Sequence, residues 1–175
     1  MLYPPAAYVD STGSQKGRGV FASRDFNVGE IVECCPVVIM EQPFAALPSE
    51  LKTIVFNWGA LAKTTASSAI ALGFGSLYNH DNPANMRYAA DAEAHVLIFS
   101  TVRPVLKGEE LTVNYNAIGG GPTWDDDNWF TRNNIEPITG QTDAQLVVRI
   151  GRPNQAFDRS AQRCPVNSSV AFTTS

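Results

Sequence analysis

The sequence predicts a mainly β domain, because short β-branched runs recur along the chain, Gly and Pro punctuate them, and helical periodicity is scarce. Two segments carry that expectation furthest. Arg24-Asp25-Phe26-Asn27-Val28-Gly29-Glu30-Ile31-Val32 and Arg103-Pro104-Val105-Leu106-Lys107-Gly108-Glu109-Glu110-Leu111 echo each other, each a glycine turn leading into a β-branched run. Glycine supplies the positive φ that a tight reversal requires, and the residues that follow alternate as strands do.

Taken in order, strands are expected over residues 19–22, 32–40, 54–58 and 96–100. Residues 47–56 are the best helix candidate, with Ser49 as N-cap behind Pro48 and Glu50 in the first turn, although the β-branched end of this stretch suits a strand equally. Tyr115 ends a strand in which Leu111, Val113 and Tyr115 share one face by period two, so Leu111 and Val113 are expected in the core. The run Gly119-Gly120-Gly121-Pro122 reads as a hinge or loop, and beyond it the composition shifts toward Asn, Asp, Gly, Pro and Ser. Residues past about 140 read as a peripheral tail, with 167–175 the least ordered part.

With 175 residues the chain has room for one domain, and 44% apolar against 17% charged residues is a globular balance. The longest apolar runs, such as Val37-Val38-Ile39-Met40, are strand-sized and fall far short of the roughly 20 residues that cross a bilayer, so a soluble protein is expected. Met1-Leu2-Tyr3-Pro4-Pro5 has neither a basic nor a long apolar region, which points to an intracellular setting, cytoplasmic or nuclear. Cys34, Cys35 and Cys164 lack the spacing of a disulfide framework or a zinc site and are expected as free thiols. The net charge is −4 and the cations are dispersed, which argues against a nucleic-acid surface and suits a basic protein partner better. Asp125-Asp126-Asp127, between Trp124 and Trp129, reads either as a solvated acidic loop or as a cluster favouring a Lys/Arg-rich peptide.

Three short stretches carry chemistry. Gly17-Arg18-Gly19 lets backbone approach a ligand closely, yet it lacks the third glycine and following helix of a dinucleotide fingerprint and is not a P-loop. In Asn79-His80 the amide offers an acceptor for an α-ammonium, and the histidine can tie backbone and strands together through both ring nitrogens. A hydrolytic role for His80-Asp81 lacks a GxSxG-type nucleophile, and metal binding lacks ligands, since His95 is the only other histidine.

Together, Gly75-Ser76-Leu77-Tyr78-Asn79-His80, Lys107-Gly108-Glu109-Glu110-Leu111-Thr112-Val113-Asn114-Tyr115 and Lys16-Gly17-Arg18-Gly19-Val20-Phe21-Ala22 resemble the signatures of the SET-domain protein-lysine methyltransferases. Residues 68–75, 28–34 and 127–132 are similar to the minimal, single-domain viral members of that family. The resemblance implies a SET domain over residues 8–116, a closing segment over 117–135 and a tail over 136–175, with small curved sheets and a pseudoknot. It implies S-adenosylmethionine in one cleft, held by Lys16, Gly17, Arg18, Gly19, Tyr78, Asn79, His80, Tyr115 and Trp129, with a substrate lysine entering from the opposite face. Tyr115 would stand beside the transferred methyl group. Tyr88, nine residues after Asn79, matches a tyrosine that restricts methylation to one or two groups. Tyr88, Val113, Trp124 and Phe130 would wall the lysine channel.

Three departures stand out: Asp81 in place of serine with Pro83 one position early, no cysteine-rich zinc module, and no tyrosine within residues 32–40. Minimal relatives imply a homodimer. The implied substrate is a basic protein or peptide, a histone tail first among them. The rival reading is an inactive module that binds peptide or cofactor without turnover, for which Asp81 is the motivating feature.

Overall fold

A computed structural model of the chain describes residues 5–136, so the expected tail and Cys164 lie outside the described residues. β1 (Ala7–Ser11) and β2 (Arg18–Ala22) form an antiparallel ribbon, with Tyr8 opposite Phe21 and their rings stacked at 5.8 Å. A larger sheet contains β3 (Ile31–Met40), β4 (Val55–Phe56), β5 (Ser68–Ala71), β6 (Asn79–His80), β7 (Met86–Asp91), β8 (Val96–Thr101) and β9 (Thr112–Val113), in the order β4-β5-β3-β8-β7-β9-β6. The pairings are antiparallel except at β9, which runs parallel to both β6 and β7. Helix among the described residues is confined to α1 (Ser49–Lys52), α2 (Trp58–Ala62), α3 (Trp129–Arg132) and two 3-10 turns, and no helix is long and apolar enough to cross a membrane. The mainly β expectation therefore holds.

The two echoing segments pair with each other. Phe26 and Val105 exchange backbone hydrogen bonds of 2.8 and 3.0 Å and are both buried. In each segment the glutamate braces its own turn: Glu30 accepts from the Asn27 amide and Arg24, and Glu109 accepts from the Leu106 amide and Arg103. Val20, Leu97, Phe99 and Leu111 join this pair in one core, each large apolar side chain contributing about 1.5–3 kcal/mol by leaving water.

Several expected elements are corrected. The helix over 47–56 shrinks to α1, with Pro48 rather than Ser49 at the N-cap, because Val55-Phe56 instead extends the sheet against Ile70 and Ala69. The strand over 54–58 is likewise limited to β4, since the Asn57 side chain accepts from the Ala60 amide and starts α2 at Trp58. β1, β5 and β7 carry too few β-branched residues to stand out by propensity, and their neighbours in the sheet make them strands. Residues 111–114 are buried on both faces, not one, because Asn85 reaches across to bond the Thr112 amide (2.8 Å) and the Glu110 carbonyl (2.7 Å). The glycine loop also proves to be packed against the domain: the Tyr88 amide donates to the Gly119 carbonyl at 2.9 Å.

A carboxylate lies inside this core. A register shift between Ile31 and Glu33 turns both Val32 and Glu33 inward, leaving Glu33 6% exposed. One Glu33 oxygen accepts from the Phe74 amide at 3.0 Å and the other from the Tyr78 hydroxyl at 2.8 Å. Burial, reinforced by the Glu33 charge, drives the Tyr78 phenol well above its ordinary pKa, so it remains a donor. Tyr78→Phe should lower stability in urea unfolding by about 1.5–3 kcal/mol, the worth of a hydrogen bond to a charged group. A loss below about 0.5 kcal/mol would contradict this account of Tyr78.

Candidate active site

The parallel pairing of Asn79 with Thr112 and His80 with Val113 sets two motifs distant in sequence side by side, and β2 brings the glycine turn to them. A cavity of about 300 Å³ opens there, lined by Lys16, Gly17, Arg18, Thr53, Ile54, Ser76, Leu77, Asn79 and Tyr115. Both hydrogens of the Asn79 amide are committed, to the Arg18 carbonyl (2.9 Å) and Glu110 (2.8 Å), which leaves its oxygen as an acceptor. Lys16 bonds the His80 carbonyl at 3.2 Å, bridging the glycine turn and β6. Gly17 sits at φ +77° with open space where a side chain would project. An amino-acid-like ligand fits this donor set: the Lys16 and Arg18 cations for a carboxylate, the Asn79 amide oxygen for an ammonium.

Tyr115 forms the floor. Its hydroxyl donates to the Tyr78 carbonyl at 2.7 Å, and its amide donates to His80 Nδ1 at 3.0 Å. The latter bond requires His80 to carry its proton on Nε2, which then donates to Asp127 at 2.9 Å. Burial, then the nearby Tyr88, raises the Tyr115 phenol well above its ordinary pKa and keeps it neutral.

Beyond Tyr115 lies a second cavity of about 300 Å³, walled by Phe56, Tyr78, Tyr88, Tyr115 and Trp129, with Lys52, Ile54, Ile118 and Arg132 also lining it. Tyr88 is held edge-on by Phe56 (5.1 Å) and against Phe99 (5.8 Å), and burial pushes its phenol up to about 12. Gly120 allows this packing: a Cβ there would lie 2.7 Å from the Tyr88 ring. Trp129 meets Tyr115 edge-on at 4.9 Å. The segment carrying Trp129 is fastened by Asn116, which donates to Asp127 at 2.6 Å and accepts from the Trp129 amide at 2.8 Å.

The expected site residues thus separate. Lys16, Gly17, Arg18, Asn79 and Tyr115 line the first cavity; Tyr78, Tyr88, Tyr115 and Trp129 line the second. Gly19 is buried beside Glu110, and the Tyr78 ring points into the core, so only its carbonyl faces Tyr115. Val113 is a core residue, Trp124 is 45% exposed and Phe130 packs on His80 at 5.5 Å; none of these three is among the residues lining either cavity. Thr53, Ile54, Phe56 and Asn116 also line these cavities, and none of them lies in the three motifs of the sequence. Asp81, the departure from serine, turns its carboxylate to the Asn82 amide (2.9 Å). In the acidic run, Asp126 accepts from Asn128, and Asp127 accepts from His80 and Asn116.

Known proteins agree with this architecture. The chain is 27% identical over 132 residues to a histone-lysine N-methyltransferase, H3 lysine-37 specific, of Schizosaccharomyces pombe, a match covering 75% of this chain and 86% of the relative. The fold is similar to a proposed histone methyltransferase of Plasmodium falciparum (TM-score 0.50, 23% identity, 65% of this chain and 95% of that one). It is also similar to a chain of an active polycomb repressive complex 2 in the basal state (TM-score 0.54, 18% identity, 66% of this chain and 17% of that one). The SET domain matches residues 17–116, spanning the glycine turn, the Asn79-His80 pair and Tyr115, and the chain therefore belongs to the SET-domain family.

Proposed function

We propose that this chain transfers a methyl group from S-adenosylmethionine to the ε-amine of a lysine in a protein substrate. The observation that carries this reading is Tyr115, a neutral phenol that lines both cavities. Lys16, Gly17, Arg18 and Asn79 would hold the cofactor, which would supply an electrophilic methyl on a sulfonium to a neutral lysine nitrogen, sulfur keeping the electron pair of the broken carbon–sulfur bond. The protein's task is alignment and exclusion of water. Tyr88, Phe56 and Trp129 form a dry wall that disfavours the lysine cation, whose solution pKa is about 10.4, so the amine can enter neutral. The Tyr115 hydroxyl proton is given to the Tyr78 carbonyl, leaving its oxygen lone pairs to accept weak C–H contacts from the methyl group.

A histone tail is the first substrate to test, following the fission-yeast relative, and that substrate would place the protein in the nucleus. Labelled methyl transfer should be measured on core histones and on a cell lysate, with the modified residue identified by mass spectrometry. Label on lysine is expected. Its absence from both pools, with a folded protein, would overturn the assignment and favour a binding module. Product number is assigned to Tyr88, which lines the proposed lysine cavity: the parent should stop at one or two methyl groups, and Tyr88→Phe should shift product toward three. An unchanged product distribution would remove Tyr88 from this role.

A further inference from the structure

We infer that the lysine accepted by this site is flanked by acidic residues rather than basic ones, an inference that rests on the proposed lysine methylation. Among the described residues lining the cavity beyond Tyr115, Lys52 and Arg132 are the only charged ones, and none is acidic. Neither cation is neutralised by an ion pair, the ion pairs of the described residues being Arg24–Glu30, His80–Asp127 and Arg103–Glu109. Lys52 instead stands 5.9 Å from the Phe44 ring, on α1. Arg132 is exposed at the end of α3, so the two cations that line this cavity come from different segments.

The acids nearest in sequence do not counter them. Glu50 and Glu136 are exposed and neither lines the cavity. The acidic run does not line the cavity either: Asp125, Asp126 and Asp127 are exposed outside it, with Asp127 bonded by His80 and Asn116 and Asp126 by Asn128. Cations lining the cavity repel Lys and Arg beside the target and attract Asp and Glu, an effect expressed mainly in encounter rate and salt dependence. Exposed charge pairs are each worth about 0.2–1 kcal/mol, so two of them set a preference of about 2- to 30-fold.

Two synthetic peptides test this, each with one central lysine and identical except that the residues within three positions are acidic in one and basic in the other. At low salt the protein should methylate the acidic peptide with a kcat/KM about 2- to 30-fold higher, and the ratio should shrink as salt rises. Lys52→Glu with Arg132→Glu should reverse it, and Lys52→Ala or Arg132→Ala alone should each reduce it, which keeps the test intact if the double variant misfolds. A parent protein that prefers the basic peptide, or a ratio that none of these variants moves, overturns the inference. If neither peptide accepts methyl groups, the proposed activity on peptides fails, and fluorescence anisotropy of the two labelled peptides still decides the preference: tighter binding of the acidic peptide supports it and equal or weaker binding overturns it.

Discussion

Tyr115→Phe should reduce single-turnover methyl transfer by about 100- to 1000-fold, the scale set by removing one preorganised polar group from a reacting centre. Cofactor affinity, read by calorimetry, should stay within about threefold, because the hydroxyl is already paired to the Tyr78 carbonyl at 2.7 Å and the ring that packs against Trp129 is retained. The two readouts separate a transition-state role from a binding role. The pH profile adds a second check. The Tyr115 phenol is raised in the folded protein, chiefly by burial, so its neutral form persists above the ordinary tyrosine value near 10. No loss of rate from Tyr115 ionisation is therefore expected between neutrality and about pH 9. The stability this shift contributes is fully present below the unfolded value and fades as pH climbs above it.

Asp127→Ala should weaken cofactor binding and transfer together, by about tenfold or more, the equivalent of a hydrogen bond to a charged group. Asp127 accepts from both His80 Nε2 and Asn116, and through Asn116 it fixes the Trp129 amide. Its removal leaves His80 free to change tautomer, which would cost the 3.0 Å bond from the Tyr115 amide. It also unfastens the segment that sets Trp129 against Tyr115. Asp127→Asn retains an acceptor oxygen and should recover most of both quantities. Affinity and rate unchanged in Asp127→Ala, measured by calorimetry and label transfer, would show that the clamp positions nothing.

The motifs were legible because glycine at 17 and 19, the Asn79-His80 pair and Tyr115 are demanded by local geometry and by the chemistry of a small polar ligand. The echo between residues 24–32 and 103–111 was legible too, but not that the two segments pair through Phe26 and Val105, since nothing in a strand's own pattern names its partner. The wall of Thr53, Ile54 and Phe56 was hidden for a related reason: residues 47–56 carry mixed helix and strand preference, and pairing of β4 with β5 settled it. Glu33 was invisible as a buried group, because a carboxylate inside a strand reads as a solvent-facing residue unless the bulge at Val32 is foreseen. The acidic run is exposed, as the solvated-loop alternative expected, but the convergence of His80 and Asn116 on Asp127 was not legible, since nothing in the run names those partners.

The most direct test is a crystal structure with S-adenosylhomocysteine and a lysine peptide bound together. The sulfur should lie in the cavity lined by Lys16, Gly17 and Asn79, and the lysine nitrogen in the one walled by Tyr88 and Trp129, with the Tyr115 hydroxyl between them. Both ligands in one cavity, or a lysine that enters without approaching Tyr115, would contradict the account.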